Sequence, residues 1–380
     1  MKWKICLFCT ILCLLFFGSG MIVCAESMET MPDGYTKIEH DLPEDVAELL
    51  PENLFSSDPQ EAMTAAETLS KPEYLLRVIM EAIGLRLPEA LRLLGCLLGL
   101  LLLSALLHRL RAAWESTGGE GVTFCLRLCM YAAIMSGAVT MITTVKAHFE
   151  RMTTLMTAMA PVMGVLYALG GNLAQAASNE GIFLISMNIC DFTVASVTPA
   201  VCGVCMAFAL LEAFGGMAKT QFTAIGGLIK KWYLSLLGFV MFLLSVALSV
   251  QSVLSVGADN MSMRGIKYAV GQMIPAVGGA VSGTLGSVAA GVEMIRGVTG
   301  VSGIILVGLL LLPTLVQLLL FRMCYQMTAT IATLLGCDGE AGLLGEMGSL
   351  YGYMAAAVSI CSVVFVLALA IFAHSTTAVA

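Results

Sequence analysis

The chain has 380 residues, 58% of them hydrophobic and only 12% charged, with a formal net charge of −7. A soluble domain carries roughly 25% charged residues, so a soluble enzyme or binding module of ordinary composition is excluded. A nucleic-acid binder would carry a basic patch, and none is present.

Apolar runs reach about 20 residues, the length that crosses a bilayer. They read as an all-α polytopic membrane protein with about 7–8 transmembrane or re-entrant helices. The charge is uneven: between Glu26 and Ala90, 15 acidic residues against 4 basic ones give −11, so the net charge belongs to this stretch.

Residues 1–25 read as a secretory signal. Lys2 and Lys4 form the charged region, Ile5 to Phe17 the apolar region, and Val23-Cys24-Ala25 a small-residue cleavage site. Cleavage after Ala25 is the first reading, an uncleaved anchor the second. A lipidated Cys24 fits less well because Val23 is bulky. Residues 26–90 form an acidic extracytoplasmic segment without cysteine, so no disulfide framework holds it. Within it, Asp58-Pro59-Gln60-Glu61 has the pattern of a capped helix start, and Pro72 ends that helix. Leu75, Leu76, Ile79, Met80 and Ile83 then mark one face of an amphipathic helix. It suits a membrane surface, a partner or simple packing on the membrane domain.

The first transmembrane helix and its loop occupy residues 91–121, with the span from about Leu91 to Leu107. His108-Arg109-Leu110-Arg111 closes it, a basic edge that belongs in the cytoplasm. Lys219, Lys230 and Lys231 suggest a second cytoplasmic loop.

Beyond this, Pro161 and Pro275 lie 114 residues apart, as do Pro199 and Pro313. A fixed offset between broken apolar segments is the mark of a duplicated membrane unit. The expected division is residues 122–237 for the first repeat, 238–350 for the second, and 351–380 for a last helix and tail. An even number of crossings per unit makes the repeats parallel and an odd number inverts them. Sequence leaves both open.

The candidate gating or packing residues are Pro161, Pro199, Pro275, Gly278, Gly279, Gly283 and Pro313. Gly279-Ala-Val-Ser-Gly283 is a small-xxx-small stripe that lets helices approach closely in lipid. It serves a gate, an oligomer seam or ordinary packing. Asp191 is the carboxylate deepest in an apolar stretch, hence a candidate intramembrane polar site. Its counterpart at the repeat offset is Ile305, so the charge is not symmetric. Glu293 and Arg296, three residues apart, are placed to pair locally.

Signs of catalysis are poor. The four histidines are scattered, and Cys202-Gly-Val-Cys205 lies in an apolar stretch, reading as packing. There is no P-loop motif. No enzyme activity, cofactor or metal is expected.

Taken in order, several local patterns resemble the stage III sporulation protein AE family. They are Ala160-Pro161 with Gly170-Gly171 and Ala176-Ala177-Ser178, then Leu228-Ile-Lys-Lys-Trp232. Next come Arg264-Gly-Ile-Lys267, Ile274-Pro275-Ala-Val-Gly278-Gly279-Ala-Val-Ser282, and Gly300-Val-Ser-Gly303-Ile304 before Pro313. The likeness covers roughly residues 90–373.

This resemblance implies a subunit of the sporulation channel built by the stage III A operon proteins. Its place would be the mother-cell membrane around the forespore, with the N-terminal segment extracytoplasmic. Its partners would be the other operon proteins, including a separate ATPase, together with the lipid bilayer and, as an open option, further copies of itself. It brings no catalytic residues. The alternative is a stand-alone secondary transporter with broken helices around a midplane site, where Asp191 would couple an ion.

Overall fold

The computed structural model describes residues 72–113, 118–169, 172–214, 222–273 and 278–374. The signal sequence, the rest of the acidic segment, the helix expected from Asp58 and Pro275 lie outside the described residues.

The described chain is helical throughout. In order it comprises α1 (Pro72–Ala113), α2 (Gly118–Leu169), α3 (Leu173–Phe192), a π turn (Thr193–Val197), α4 (Thr198–Phe214), α5 (Phe222–Met273), α6 (Gly278–Leu334) and α7 (Asp338–His374). Five helices are long and apolar enough to cross a membrane, and the stretch from α3 to α4 adds two shorter apolar segments.

The elements are longer than the sequence signals suggest. α1 has 42 residues and carries Pro88 inside it, so the amphipathic stretch and the first span are one helix. At ~1.5 Å per residue it is about 63 Å long, twice a ~30 Å hydrocarbon core. Pro72 begins this helix, because a first-turn proline gives up an N–H that would have no partner anyway. Among the described side chains of α1, those buried are Val78, Ala82, Ala90, Leu97, Leu101, Ser104 and Ala105, whereas Leu76 and Met80 of the expected apolar face are exposed.

α2 likewise runs through Pro161 without a break, and α6 through Pro313. The acidic stretch at Asp338, Glu340 and Glu346, loop-like by composition, is the first part of α7, which begins 13 residues before Tyr351. The expected segment starts at residues 91, 238 and 351 therefore fall inside α1, α5 and α7.

Contacts along the helices fix their directions. Against α6, α2 runs antiparallel: Gly137 meets Tyr325, His148 meets Thr314 and Gly303 meets Met159. The rod from α3 through α4 runs antiparallel to α5, with Cys190 on Met241, Thr198 on Tyr233 and Cys205 on Gly226. α6 and α7 form an antiparallel hairpin, joined where Gly300 meets Ala373 and Gly348 meets Tyr325. α1 runs with α6, since Ala90 meets Cys324 and Ser104 meets Glu340 just past the turn. Taken as rods, with α3 and α4 as one, successive elements alternate in direction.

The α6–α7 hairpin is the centre. At least half of its apolar windows is buried, against 17% for α5, which is peripheral. Its turn is set by Gly336 at φ +77°, a left-handed conformation that a Cβ would disfavour. Cys337 N–H returns to the Ala332 carbonyl at 2.9 Å and Gly336 N–H to Thr333 at 3.1 Å. This pair closes the end of α6 as a Schellman motif. Asp338 and Glu340 then place negative charge at the start of α7, where the helix dipole favours it.

Aromatic rings lock the hairpin to α2. Tyr351 stacks on Tyr325 with centroids 5.4 Å apart and donates its hydroxyl to the Gly137 carbonyl at 2.9 Å. At the other end Tyr167 meets Phe372 edge-on at 5.1 Å, and Arg296 lies over the Tyr167 ring at 5.4 Å.

Candidate functional site

Among the described residues, a buried ion pair joins α5 to α7. Lys230 donates to the Glu346 carboxylate, and both side chains are buried. Ser349 Oγ lies 3.4 Å from Lys230 Nζ, and the Tyr353 ring centroid 5.5 Å from it. These four groups come from a short stretch of each helix: Glu346, Ser349 and Tyr353 are spaced three and four apart, so they share one face of α7. Cys202 and Cys205 of α4 are close enough to feel both charges. Cys205 also points its thiol at the Gly226 carbonyl, 3.6 Å away.

A lone charge costs roughly 2.5–3.5 kcal/mol at the centre of a membrane helix, and Lys230, near the end of its apolar window, is still buried. Pairing with a carboxylate, a hydroxyl and a ring face is how such a lysine is accommodated. The arrangement clamps two parallel helices and has no feature of a catalytic centre. Among the described residues, no three His, Cys, Asp or Glu side chains gather to hold a metal.

A second buried contact, Ser104 Oγ to Glu340 at 3.3 Å, ties α1 to the start of α7. A third joins three helices through sulfur: Cys190 of α3 lies 3.7 Å from Met241 of α5 and beside the Cys361 thiol of α7.

The residues singled out from sequence are scattered. Pro161 is exposed on α2, and Pro313 is half-buried on α6. Pro199 is half-buried at the second position of α4, directly after the π turn. A π turn is a common device where a helix must absorb an irregular step. Thr193 Oγ1 bonds the Ile189 carbonyl at 2.6 Å, while Thr198 bonds the Thr193 carbonyl at 3.0 Å and the Tyr233 hydroxyl. Gly278, Gly279 and Gly283 lie at the start of α6. Asp191 is exposed near the end of α3. At the repeat offset the break before Asn172 meets Gly286, which lies within the continuous α6.

Lys230 and Glu346 were not singled out from sequence. Lys230 reads as a loop charge beside Lys231, and its partner lies 116 positions away. The signal that could have found them is one charge of each sign just inside the end of an apolar window.

Comparison with known proteins decides the family. The family model described as "Stage III sporulation protein AE" matches residues 59–376, which include every helix described above. The chain belongs to the stage III sporulation protein AE family. It is 22% identical over 284 residues to stage III sporulation protein AE of Bacillus subtilis (strain 168), covering 74% of this chain and 70% of that protein. No solved structure matches the chain. The resemblance read from the proline and glycine segments is thereby borne out, and with it a sporulation-related role in a membrane.

Proposed function

We propose that this chain is a non-catalytic, membrane-embedded subunit of the sporulation channel or secretion complex that links mother cell and forespore. The observation that carries this reading is the family match over residues 59–376. The other stage III A operon proteins, including a separate ATPase, are its partners, and the mother-cell membrane around the forespore is its location.

In this reading the six alternating rods are six crossings. An even unit of two crossings makes the two repeats parallel, with α7 beginning a third. The basic residues Arg109, Arg111 and Lys231 then fall on one side of the bilayer, which the positive-inside rule assigns to the cytoplasm. The acidic N-terminal segment and the end of α7 fall on the other. Pro199 with its π turn is the hinge candidate, and the small-residue start of α6 at Gly278, Gly279 and Gly283 is the close-packing surface.

The reading is tested by purifying the tagged protein from sporulating cells in mild detergent. The operon partners, the ATPase among them, are expected to co-purify. Recovery of the chain alone, under conditions that preserve other membrane complexes, would overturn it.

A further inference from the structure

The exposed faces of α2 and α5 differ in chemistry at the same depth. On α5 the exposed side chains between Trp232 and Leu254 are mostly large and apolar, Phe239 and Phe242 among them. That is the face lipid wets. On α2 every exposed side chain from Thr140 to Thr157 is hydroxylic or charged: Thr140, Thr143, Lys146, Glu150, Arg151, Thr154 and Thr157, with exposed Met135, Val139 and Pro161 beyond its two ends. Lys146 and Glu150 are 3.8 Å apart, with side chains 61% and 65% exposed. The four threonines bond backone carbonyls three or four residues back, at 2.8–3.1 Å. A hydroxyl bonded in this way is tolerated in a membrane helix, but a charged pair facing hydrocarbon is not.

α7 serves as the ruler for depth. Its Tyr351 meets Gly137 of α2, and its Phe372 meets Tyr167. Cys361, about midway between them, is therefore level with α2 near Glu150. Cys361 also meets Cys190, which touches Met241 of α5. Met241 lies between Phe239 and Phe242, near the middle of the apolar belt. Lys146 and Glu150 are thus at the middle of the bilayer, not at its edge. An independent contact agrees: His148 meets Thr314, well inside the uncharged stretch of α6 between Arg296 and Arg322. Asp191, next to Cys190 and exposed on α3, stands at the same depth.

We infer that the Thr140–Thr157 face of α2 is wetted at mid-bilayer depth and forms one wall of an aqueous passage. Exposed ionisable side chains at that depth are retained where they meet water or a water-filled cavity. The inference deepens the channel reading and rests on it for what moves along the wall. The mixed charge of the face suits a hydrophilic solute better than a lipid tail.

The test introduces one cysteine at a time into the full chain, in membranes of the sporulating host, with Cys6, Cys9, Cys13, Cys24 and exposed Cys96, Cys125 and Cys129 replaced by serine, the buried cysteines kept, and the same chain without an added cysteine as the background. Thr143→Cys, Glu150→Cys and Thr154→Cys report the α2 face. Phe239→Cys and Phe242→Cys report the lipid face at matching depth. The probe is a charged, membrane-impermeant maleimide. The α2 positions are expected to react at least tenfold faster than the α5 positions. Equal, slow labelling of both sets would overturn the inference, whether lipid or a dry protein contact covers α2. The two threonine variants change an exposed hydroxyl to a thiol, so the test stands even where Glu150→Cys fails to fold. Labelling needs no spores. Its failure therefore leaves the sporulation reading untouched, and normal sporulation without the protein would leave the labelling result untouched.

Discussion

The Lys230 ammonium of α5 is bonded to the Glu346 carboxylate of α7, and both are buried inside the bundle. α5 is otherwise the least buried of the five long apolar helices. This pair fastens α5 to the central hairpin in register, and the sulfur contact at Met241 ties it to α3.

Removing one partner leaves a buried charge unmatched, which costs about 3–5 kcal/mol, whereas replacing both with apolar residues of similar size is often neutral. Lys230→Met or Glu346→Leu alone is therefore expected to lower the thermal midpoint of the detergent-solubilised protein by several degrees. The double variant is expected to recover most of that loss. Equal loss in the double and single variants would show that the pair does not act as a unit.

Gly137 is where α2 comes closest to the hairpin. A Cβ there would collide with the Tyr325 hydroxyl, with the next ring carbon at 3.3 Å. Gly137→Ala is expected to destabilise the protein by about 1–3 kcal/mol, the usual scale for overpacking. Adding Tyr325→Phe removes the colliding oxygen and should restore part of the stability. Midpoints of the two variants, measured in one detergent, check this.

Alternation of the rods predicts that the two ends of the described bundle lie on one side of the membrane. A phosphatase fused after His374 should be active outside the cytoplasm. A fluorescent protein inserted in residues 215–221 should fold and fluoresce inside. The reverse pattern at either site would contradict the six-crossing topology.

Much of this was legible in the sequence, and the losses have physical causes. Apolar length and composition give the membrane class, and the proline and glycine segments give the family. A proline in an apolar run suggests a break, yet Pro161 and Pro313 lie inside continuous helices, as does Pro88, since packing against neighbours compensates for one lost backbone bond in a membrane protein. Glu346 was hidden because acidic residues near a glycine turn look like a loop, and nothing local reveals a partner 116 residues away. The polar face of α2 was hidden because threonines are nearly neutral on hydropathy scales. They become visible as a stripe only when the helix is wound and its buried side is known. Asp191 was noticed for its charge, but its depth beside Cys190 needed the contacts of α3 with α5 and α7.

The central claim, a sporulation subunit of the membrane, is tested most directly by counting heat-resistant spores in a strain that lacks this chain. Vegetative growth should be normal, and development should stop after the forespore is engulfed. Spore counts should fall by orders of magnitude and return when the wild-type chain is supplied. A normal count of heat-resistant spores in the deletion strain would contradict the account.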